Sequence, residues 1–273
     1  MAHVGNRLTK TNEEDLLNDL VQIDAWMQDL LRTIPKLLEA IDIGDIEEKS
    51  NARDLVTAVD KGLEDYLTKA ILERFPDHNI LGEETFIADK VYDQTDLWVI
   101  DPIDGTTNFV KQGDQFCTLV AYFHDGEPLL SYIYEIRQDK LYHAMAGKGV
   151  SIDGELLEKP TNLHLHEVIS SVDVRRMYIN YEDLFSRLIH GSFATRAVGT
   201  CGLDTARVID GRFGIYLNYL SGPWDYAPLF LMAKEMDLVF LKLDWTPMTL
   251  DHMGGFVLST PQAYDDLLHG ELQ

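Results

Sequence analysis

Apolar residues early in the chain recur at helical spacing. From Leu16 to Ile41 they fall at alternating steps of four and three residues, the stripe of one long amphipathic helix that is interrupted only at Pro35. Thr11, followed three residues later by Glu14, forms a capping box at its start. The pattern predicts a helix that packs on the core of its own chain or on a partner copy.

The rest of the chain alternates between strand and helix patterns. A second helix is predicted after Thr57 and must end before Pro76, and a short strand follows at residues 79–81. From residue 116 to 152, turn residues separate β-rich segments at the spacing of an antiparallel meander. Strands are then predicted near 168–172, 194–198, 213–217 and 254–259, and helices near 181–189, 200–209, 222–236 and 261–268. No internal repeat or linker appears, so we expect the halves to pack as one unit.

The composition is that of a globular protein with a strongly acidic balance. The 273 residues are 45% apolar, and 23 basic against 46 acidic residues give a formal charge of −23. Such a charge disfavours nucleic acid and anionic membranes as partners, and no apolar stretch approaches the roughly 18 residues of a membrane span. With only Cys117 and Cys201 and no targeting segment, we expect a cytoplasmic location.

Candidate chemistry is concentrated in residues 97–110, which read LWVIDPIDGTTNFV. Pro102 forces an extended conformation on the residue before it, so the backbone bends and the carboxylates of Asp101 and Asp104 can converge. Two carboxylates about 4 Å apart repel by roughly 4 kcal/mol at an effective dielectric near 20, so they require a cation or a shared proton. A metal ion is the simpler answer, and the N–H groups of Gly105 and Thr106 suit a phosphate-like anion. On these residues alone, an ordinary turn is an equal alternative.

Two further segments place acids beside glycine or proline. Glu83 and Glu84 follow a glycine after the strand at 79–81, and Asp225 follows Pro-Trp about 120 residues later. With DPIDGTTNF, which begins 18 residues after Glu83, these segments resemble the inositol monophosphatase family. The likeness extends upstream to Lys49 and to DLVTAVD at residues 54–60, and it covers about residues 10 to 268.

This resemblance implies an α+β fold with a layered αβαβα architecture. It implies one domain over residues 1–273, with a metal-binding half at 10–155 and an α/β half at 156–270, often as a homodimer. The implied activity is a lithium-sensitive phosphomonoesterase that uses two or three Mg²⁺ ions per site on a phosphorylated small molecule.

The resemblance also assigns a role to each motif residue. Glu83, Asp101 and the carbonyl of Ile103 would hold the first metal, and Asp101, Asp104 and Asp225 the second. One metal would activate a water molecule, and the other would stabilise the charge on the leaving oxygen.

The remaining motif residues would position water and phosphate. Glu83, together with Thr106 oriented by Asp60, would place the attacking water, while the N–H groups of Gly105 and Thr106 would hold the phosphoryl oxygens. A third, weaker metal would bind against Glu83. Two residues would support the cluster: Lys49 and Glu84.

The substrate pocket departs from the family pattern. Asn218 stands where inositol-specific members carry a glutamate that contacts substrate hydroxyls, and Cys201 replaces an alanine near the pocket, where Asp225 also contacts substrate. Because an amide is not a charged acceptor, the substrate stays open between inositol monophosphate, fructose 1,6-bisphosphate, NADP and 3′-phosphoadenosine 5′-phosphate. The alternative is a catalytically weak protein that uses the metal site to sense a phosphorylated metabolite.

Overall fold

Strands form where apolar and aromatic residues follow one another between turn residues. The computed structural model describes residues 13–40, 46–49, 54–88, 92–93 and 95–270. Within these ranges the strands are β1 (Ile46–Lys49), β2 (Asp54–Thr57), β3 (Asn79–Gly82), β4 (Asp96–Asp104), β5 (Cys117–His124), β6 (Glu127–Glu135), β7 (Lys140–Met145), β8 (Val150–Ile152), β9 (Glu155–Leu156), β10 (Ile169–Val172), β11 (Ala194–Arg196), β12 (Ile215–Ser221), β13 (Val239–Lys242) and β14 (Gly254–Ser259).

The strands assemble into two large sheets and one hairpin. β3 to β9 form a seven-stranded sheet in sequence order, and the predicted meander is the antiparallel part of it. A five-stranded sheet has the order β11-β10-β12-β14-β13, with β10 parallel to both of its neighbours. β1 and β2 pair with each other as an antiparallel hairpin.

Helices cover the sheets and separate them. They are α1 (Glu13–Leu31), α2 (Ile34–Ala40), α3 (Ala58–Arg74), α4 (Thr106–Gln112), α5 (Val174–Asn180), α6 (Glu182–Gly191), α7 (Cys201–Ile209), α8 (Pro223–Tyr226), α9 (Leu229–Glu235) and α10 (Pro261–His269). None of these helices combines the length and the apolar character that crossing a bilayer requires.

The buried side chains define five layers. α1 and α3 pack on one face of the seven-stranded sheet, whose other face meets α7 and α9. These two helices also contact the five-stranded sheet, and α6 and α10 cover its outer face. In β12, Tyr216 faces the inner helices while Ile215 and Leu217 face outward, the period of two expected of a strand. The αβαβα architecture is therefore confirmed.

β4 lies between β3 and β5 in the larger sheet and carries both acids of the central motif. All nine of its residues are buried, so the strand extends beyond the apolar run of Trp98, Val99 and Ile100. Asp101 lies opposite Leu119 of β5, and Asp104 lies opposite Cys117, so three steps along β4 match two along β5. Residues three apart on a regular strand point to opposite faces, and the extra residue of this bulge brings the two carboxylates to the same side.

Several predicted helices are interrupted. The predicted long N-terminal helix is two helices, because α1 ends at Leu31 and α2 begins at Ile34. Pro35 lies in the first turn of α2, where a backbone N–H has no partner within the helix and its absence costs nothing. The helix predicted at 222–236 divides into α8 and α9 at Pro228, which cannot continue the hydrogen-bond ladder. α5 and the half-buried edge strand β13 were not predicted, since neither has a strong apolar period. The capping residue Thr11 and the side chain of Thr57 lie outside the described residues.

A buried histidine holds the start of β4 against α3. His78 Nδ1 accepts a hydrogen bond from Trp98 Nε1 at 3.0 Å, and its ring stacks between Phe75 and Tyr122. Burial lowers the pKa of His78, and the nearby positive charge of a protonated His124 lowers it further against the opposing charge of Asp96. The neutral imidazole is thus the form that this part of the core accepts.

This histidine makes stability depend on pH. The pKa of His78 is lower in the folded than in the unfolded chain. Its contribution to the free energy of unfolding is therefore complete above pH about 6.5 and is lost as the pH falls toward the pKa of the folded state. When the pH is lowered from 7.5 to 5.5, we expect the free energy of unfolding to fall by about 1 kcal/mol more in the wild type than in His78→Gln, because glutamine cannot titrate. Urea unfolding at both pH values measures this difference. The exposed His166→Gln should behave as the wild type, and equal losses in wild type and His78→Gln would contradict the prediction.

Candidate active site

Three of the predicted metal ligands converge at one point. Carboxylate oxygens of Asp101, Asp104 and Asp225 all lie within 4.8 Å of one another. The first two come from the bulged end of β4, and the third comes from the first turn of α8. Asp101 and Asp104 are buried, with 1% and 7% of their surface exposed. The structure therefore concentrates negative charge where water is scarce.

Asp104 is fixed by the start of α7. Its two oxygens accept hydrogen bonds from the backbone N–H groups of Cys201 at 3.2 Å and Gly202 at 2.5 Å. A Cβ at position 202 would lie 2.6 Å from the sulfur of Cys117 and 2.9 Å from the Asp104 carboxylate, so only glycine permits this approach. The positive end of the helix dipole stabilises the ionised form of Asp104.

Asp225 and Asp101 differ in how their oxygens are satisfied. Asp225 Oδ2 accepts the N–H of Gly222 at 2.7 Å, which closes the first turn of α8. Asp101 Oδ1 is buried and has no hydrogen-bond partner within the described residues. A buried carboxylate oxygen without a donor is costly. An all-oxygen cluster with one oxygen unsatisfied is the kind of donor set that Mg²⁺ binds, so these residues fit such an ion.

The cluster strongly disfavours full ionisation. Burial raises the pKa of Asp104 to about 6, against the opposing effect of the Gly202 N–H, and burial and the charge of Asp104 raise that of Asp225 to about 7. Burial raises the pKa of Asp101 well above its usual range, and the charges of Glu83 and Asp104 raise it further. A divalent cation between these groups would offset both the burial and the repulsion.

Glu83 and Glu84 lie beside the cluster, directly after β3. Glu83 faces solvent through the cavity, and it is not one of the three carboxylates within 4.8 Å. Burial among protein atoms raises the pKa of Glu83 well above its usual range, and the charges of Asp225 and Asp60 raise it further. Asp60 is 4% exposed and lies in the first turn of α3. Lys49 is in β1, but its side chain is outside the described residues.

The turn after Asp104 opens α4. Gly105 has a φ of +92°, and a Cβ there would lie 2.1 Å from Thr200 Cγ2, so this position requires glycine. Thr106 follows as the first helical residue, and its hydroxyl donates to the carbonyl of Ile103 at 3.3 Å. The first N–H groups of this helix lack partners inside it.

A cavity of about 970 Å³ opens over the cluster. It is lined by most of the residues that the sequence singled out: Glu83, Glu84, Asp104, Gly105, Thr106, Cys201, Asn218 and Asp225. Asp101, Asp60 and Ile103 do not line it. The motif residues therefore fall into two groups: a buried group of Asp60, Asp101 and Ile103, and the residues that line the cavity, which we call its wall.

The two residues that depart from the family pattern are both bound by their neighbours. Asn218 is 6% exposed; its Nδ2 donates to Tyr216 Oη at 3.0 Å and its Oδ1 accepts from Ser221 Oγ at 2.9 Å. The sulfur of Cys201 lies 3.4 Å from the carbonyl of Asp225. Burial raises the pKa of the Cys201 thiol well above its usual range, which disfavours the thiolate form that acts as a nucleophile.

Two buried carboxylates at the site were missed. Asp204 accepts the N–H groups of Val198 and Gly199, each at 3.0 Å, and so anchors the loop before α7. Glu64 accepts the N–H of Glu84 at 2.8 Å. The spacing of four residues between Asp60 and Glu64 places both on one helical face, a signal that could have found Glu64; no comparable signal marks Asp204.

Known proteins with similar sequences are phosphatases. The family model "Inositol monophosphatase family" matches residues 21–273. An inositol-1-monophosphatase of Bacillus subtilis is 34% identical over 232 residues, which cover 82% of this chain and 87% of that protein. A fructose-1,6-bisphosphatase/inositol-1-monophosphatase of Thermotoga maritima is 30% identical over 195 residues, covering 71% of this chain and 73% of that protein.

Solved structures agree with these sequence matches. An IMPase/NADP phosphatase complexed with Mg²⁺ and phosphate superposes with a TM-score of 0.83 at 35% identity, over 92% of this chain and 95% of that one. A staphylococcal inositol monophosphatase in a LiCl-soaked inhibitory complex has a TM-score of 0.83 at 36% identity, over 91% of this chain and 94% of that one. With the family match over residues 21–273, these similarities show that the chain belongs to the inositol monophosphatase family and is a phosphomonoester hydrolase.

Proposed function

We propose that this chain hydrolyses inositol monophosphate, or a related sugar or nucleotide phosphate, with two or three Mg²⁺ ions. The observation that carries the proposal is the buried cluster of Asp101, Asp104 and Asp225 beneath a cavity that a small phosphate ester can enter. One oxygen of this cluster has no donor among the described residues. The similarity to a structure complexed with Mg²⁺ and phosphate supports the same chemistry. We extend the lithium sensitivity of the family to this chain on the same ground.

The residues divide the work between holding metal and holding substrate. Glu83, Asp101 and the carbonyl of Ile103 would bind one ion, while Asp101, Asp104 and Asp225 bind another. When bound, the ions lower the pKa of a water molecule and stabilise the charge that develops on the leaving oxygen. A third ion would bind against Glu83. Two residues would support the cluster: Lys49 and Glu84.

Substrate contacts belong to the wall of the cavity. The N–H groups of Gly105 and Thr106 would bind the phosphoryl oxygens, because they lie at the start of α4. The Thr106 hydroxyl and Glu83 would orient the attacking water, with Asp60 behind them in α3. Beyond the phosphate, the leaving group would meet Cys201, Asn218 and Asp225. These contacts stay proposals, as does a single domain over residues 1–273, which is supported by a cavity lined from both halves.

Three further substrates compete with inositol monophosphate. Fructose 1,6-bisphosphate is suggested by the name of the Thermotoga relative, and NADP by a similar structure complexed with NADP and Ca²⁺. 3′-Phosphoadenosine 5′-phosphate is the third. The amide at Asn218 favours the alternative function, a metabolite sensor with weak catalysis, because it replaces a charged acceptor by a neutral one; the converging carboxylates favour the enzyme.

Phosphate release from these four compounds tests the function. With Mg²⁺, we expect the wild type to hydrolyse at least one compound. Asp104→Asn should reduce the hydrolysis rate by more than the roughly 10- to 100-fold that is typical when a residue that only hydrogen-bonds a metal ligand is mutated. The amide would remove one charge from the cluster and set an N–H₂ group against the N–H of Gly202. Li⁺ should inhibit the reaction and EDTA should abolish it.

The exposed Asp183→Asn on α6 is the matched control and should keep wild-type activity. Should Asp104→Asn hydrolyse a compound as fast as the wild type, the role of Asp104 as a metal ligand is lost; should the wild type hydrolyse none of the four compounds, the weakly catalytic sensor replaces the proposed function. Activity that survives EDTA would instead exclude the metal mechanism.

Protons should compete with the metal. Because burial raises the pKa of Asp104 to about 6 and that of Asp225 to about 7 in the metal-free protein, these ligands are ionised at pH 8 and substantially protonated at pH 6. We therefore expect Mg²⁺ affinity to weaken as the pH falls across this window, with more protons released per ion bound at the lower pH. Calorimetric titration in buffers of different ionisation enthalpy measures both quantities. A pH-independent affinity without proton release would refute the ligand assignment.

We also propose a homodimer and a cytoplasmic location. Large apolar side chains are exposed between residues 174 and 193, with 67% of Ile179 and 76% of Phe193 accessible. A second copy is the partner that the family resemblance favours for such a face. Both cysteines are free and buried, as expected in a reducing compartment.

Light scattering at micromolar concentration should give the mass of two 31.1 kDa chains. The double variant Ile179→Glu/Phe193→Glu should be monomeric, because charges would be buried without partners at the interface. Leu156→Glu, at a position of β9 that is 68% exposed, should remain dimeric. A strictly monomeric wild type would rule out the dimer.

A further inference from the structure

The reaction as proposed leaves one buried acid of the site without a role. Glu64 lies in the second turn of α3, one turn after Asp60, and only 1% of its surface is exposed. Burying a carboxylate beside the charge of Glu84 is unfavourable unless it makes contacts that the structure needs. Its position next to the segment that carries Glu83 indicates what those contacts do.

Within the described residues, backbone hydrogen bonds to the sheet hold the segment after β3 only as far as Glu83, and Phe86 farther along packs against Trp224. The ladder between β3 and β4 ends where Gly82 pairs with Ile100, and one further backbone bond joins Glu83 N to the Ile100 carbonyl at 3.2 Å. From Glu84 onward the chain leaves the sheet. The N–H of Glu84 donates to Glu64 Oε2 at 2.8 Å, so the carboxylate holds the backbone on the far side of Glu83.

Close packing adds to this hydrogen bond. A Cβ at position 82 would lie 2.4 Å from the carboxyl carbon of Glu64, so the glycine allows the backbone to lie directly on the carboxylate. The other oxygen, Glu64 Oε1, has no hydrogen-bond partner within the described residues. Glu64 therefore contacts the chain on both sides of Glu83, the proposed metal ligand: it packs against Gly82 and accepts a hydrogen bond from Glu84.

We infer that Glu64 is a positioning residue for metal binding: it orients Glu83 by accepting the N–H of Glu84. The inference rests on the proposed metal site and deepens it. Glu64 acts as a hydrogen-bond acceptor, and its charge is secondary, because the contact requires one oxygen directed at one N–H. Glutamine keeps that oxygen, whereas leucine removes it at similar size.

Calorimetric titration with Mg²⁺ alone, without substrate, tests the inference, and Mn²⁺ titration followed by electron paramagnetic resonance gives an independent reading. We expect Glu64→Leu to weaken metal binding by about 10- to 100-fold, and Glu64→Gln to stay within about threefold of the wild type. Gly82→Ala should weaken binding as Glu64→Leu does, because the added methyl group separates backbone and carboxylate. The exposed neighbour Asp65→Asn loses one charge from the same helix and should bind normally.

Thermal unfolding of the metal-free variants shows which are folded. A folded Glu64→Leu with wild-type affinity overturns the inference, and so does a Glu64→Gln that loses as much affinity as Glu64→Leu. Should Glu64→Leu fail to fold, Gly82→Ala decides: weakened binding supports the inference and wild-type binding overturns it. Since no substrate is present, these results are separate from the phosphatase assay. Weakened metal binding combined with no hydrolysis by the wild type would leave Glu64 positioned as inferred and remove only the proposed function.

Discussion

The mutual repulsion of Asp101, Asp104 and Asp225 is the constraint on which the site depends. Three carboxylates within 4.8 Å would be unfavourable at any surface, and here two are almost fully buried in a chain of formal charge −23. The protein lowers this cost with backbone N–H groups at helix starts, and one oxygen of Asp101 has no donor in the part of the chain that the structure describes. A divalent cation bound at the cluster would provide a partner for this oxygen and would offset the repulsion between the carboxylates.

The layered fold provides the geometry for this arrangement. The middle layer of helices lies between the two sheets, and both α7 and α8 begin at the cluster, with their first N–H groups on Asp104 and Asp225. β4, which lies between β3 and β5 of the larger sheet, delivers the other side of the cluster. Because strand and helices are anchored in different cores, the ligands are held from several directions. The same rigidity explains why glycines 105 and 202 are required, since each lies where another element approaches too closely for a side chain.

Much of the fold and most of the site could be predicted from the sequence, for identifiable reasons. Asp101 and Asp104 converge as expected, because they are close in sequence and their turn chemistry is strong, and Asp225 joins them from the distant start of α8. The bulge in β4 could not be predicted, since it depends on the register with β5, a strand defined only by the whole sheet. Glu64 and Asp204 were missed for a similar reason: each is an acid on an ordinary helix whose meaning comes from a loop that packs on it. Breaks in helices were missed where a proline begins a new helix instead of ending the old one.

Specificity is harder to infer than chemistry because the two are built differently. Two of the proposed metal ligands, Asp104 and Asp225, accept backbone N–H groups, so their arrangement depends less on which side chains surround the cavity. Asn218 instead belongs to a chain of side-chain hydrogen bonds through Tyr216 and Ser221, and its amide is already engaged with both. Replacing the family glutamate by asparagine therefore changes how three residues share their donors and acceptors, and the loss of charge is only part of the effect. Under the proposed function the substrate would meet this group as a unit, which is why one altered residue does not identify it.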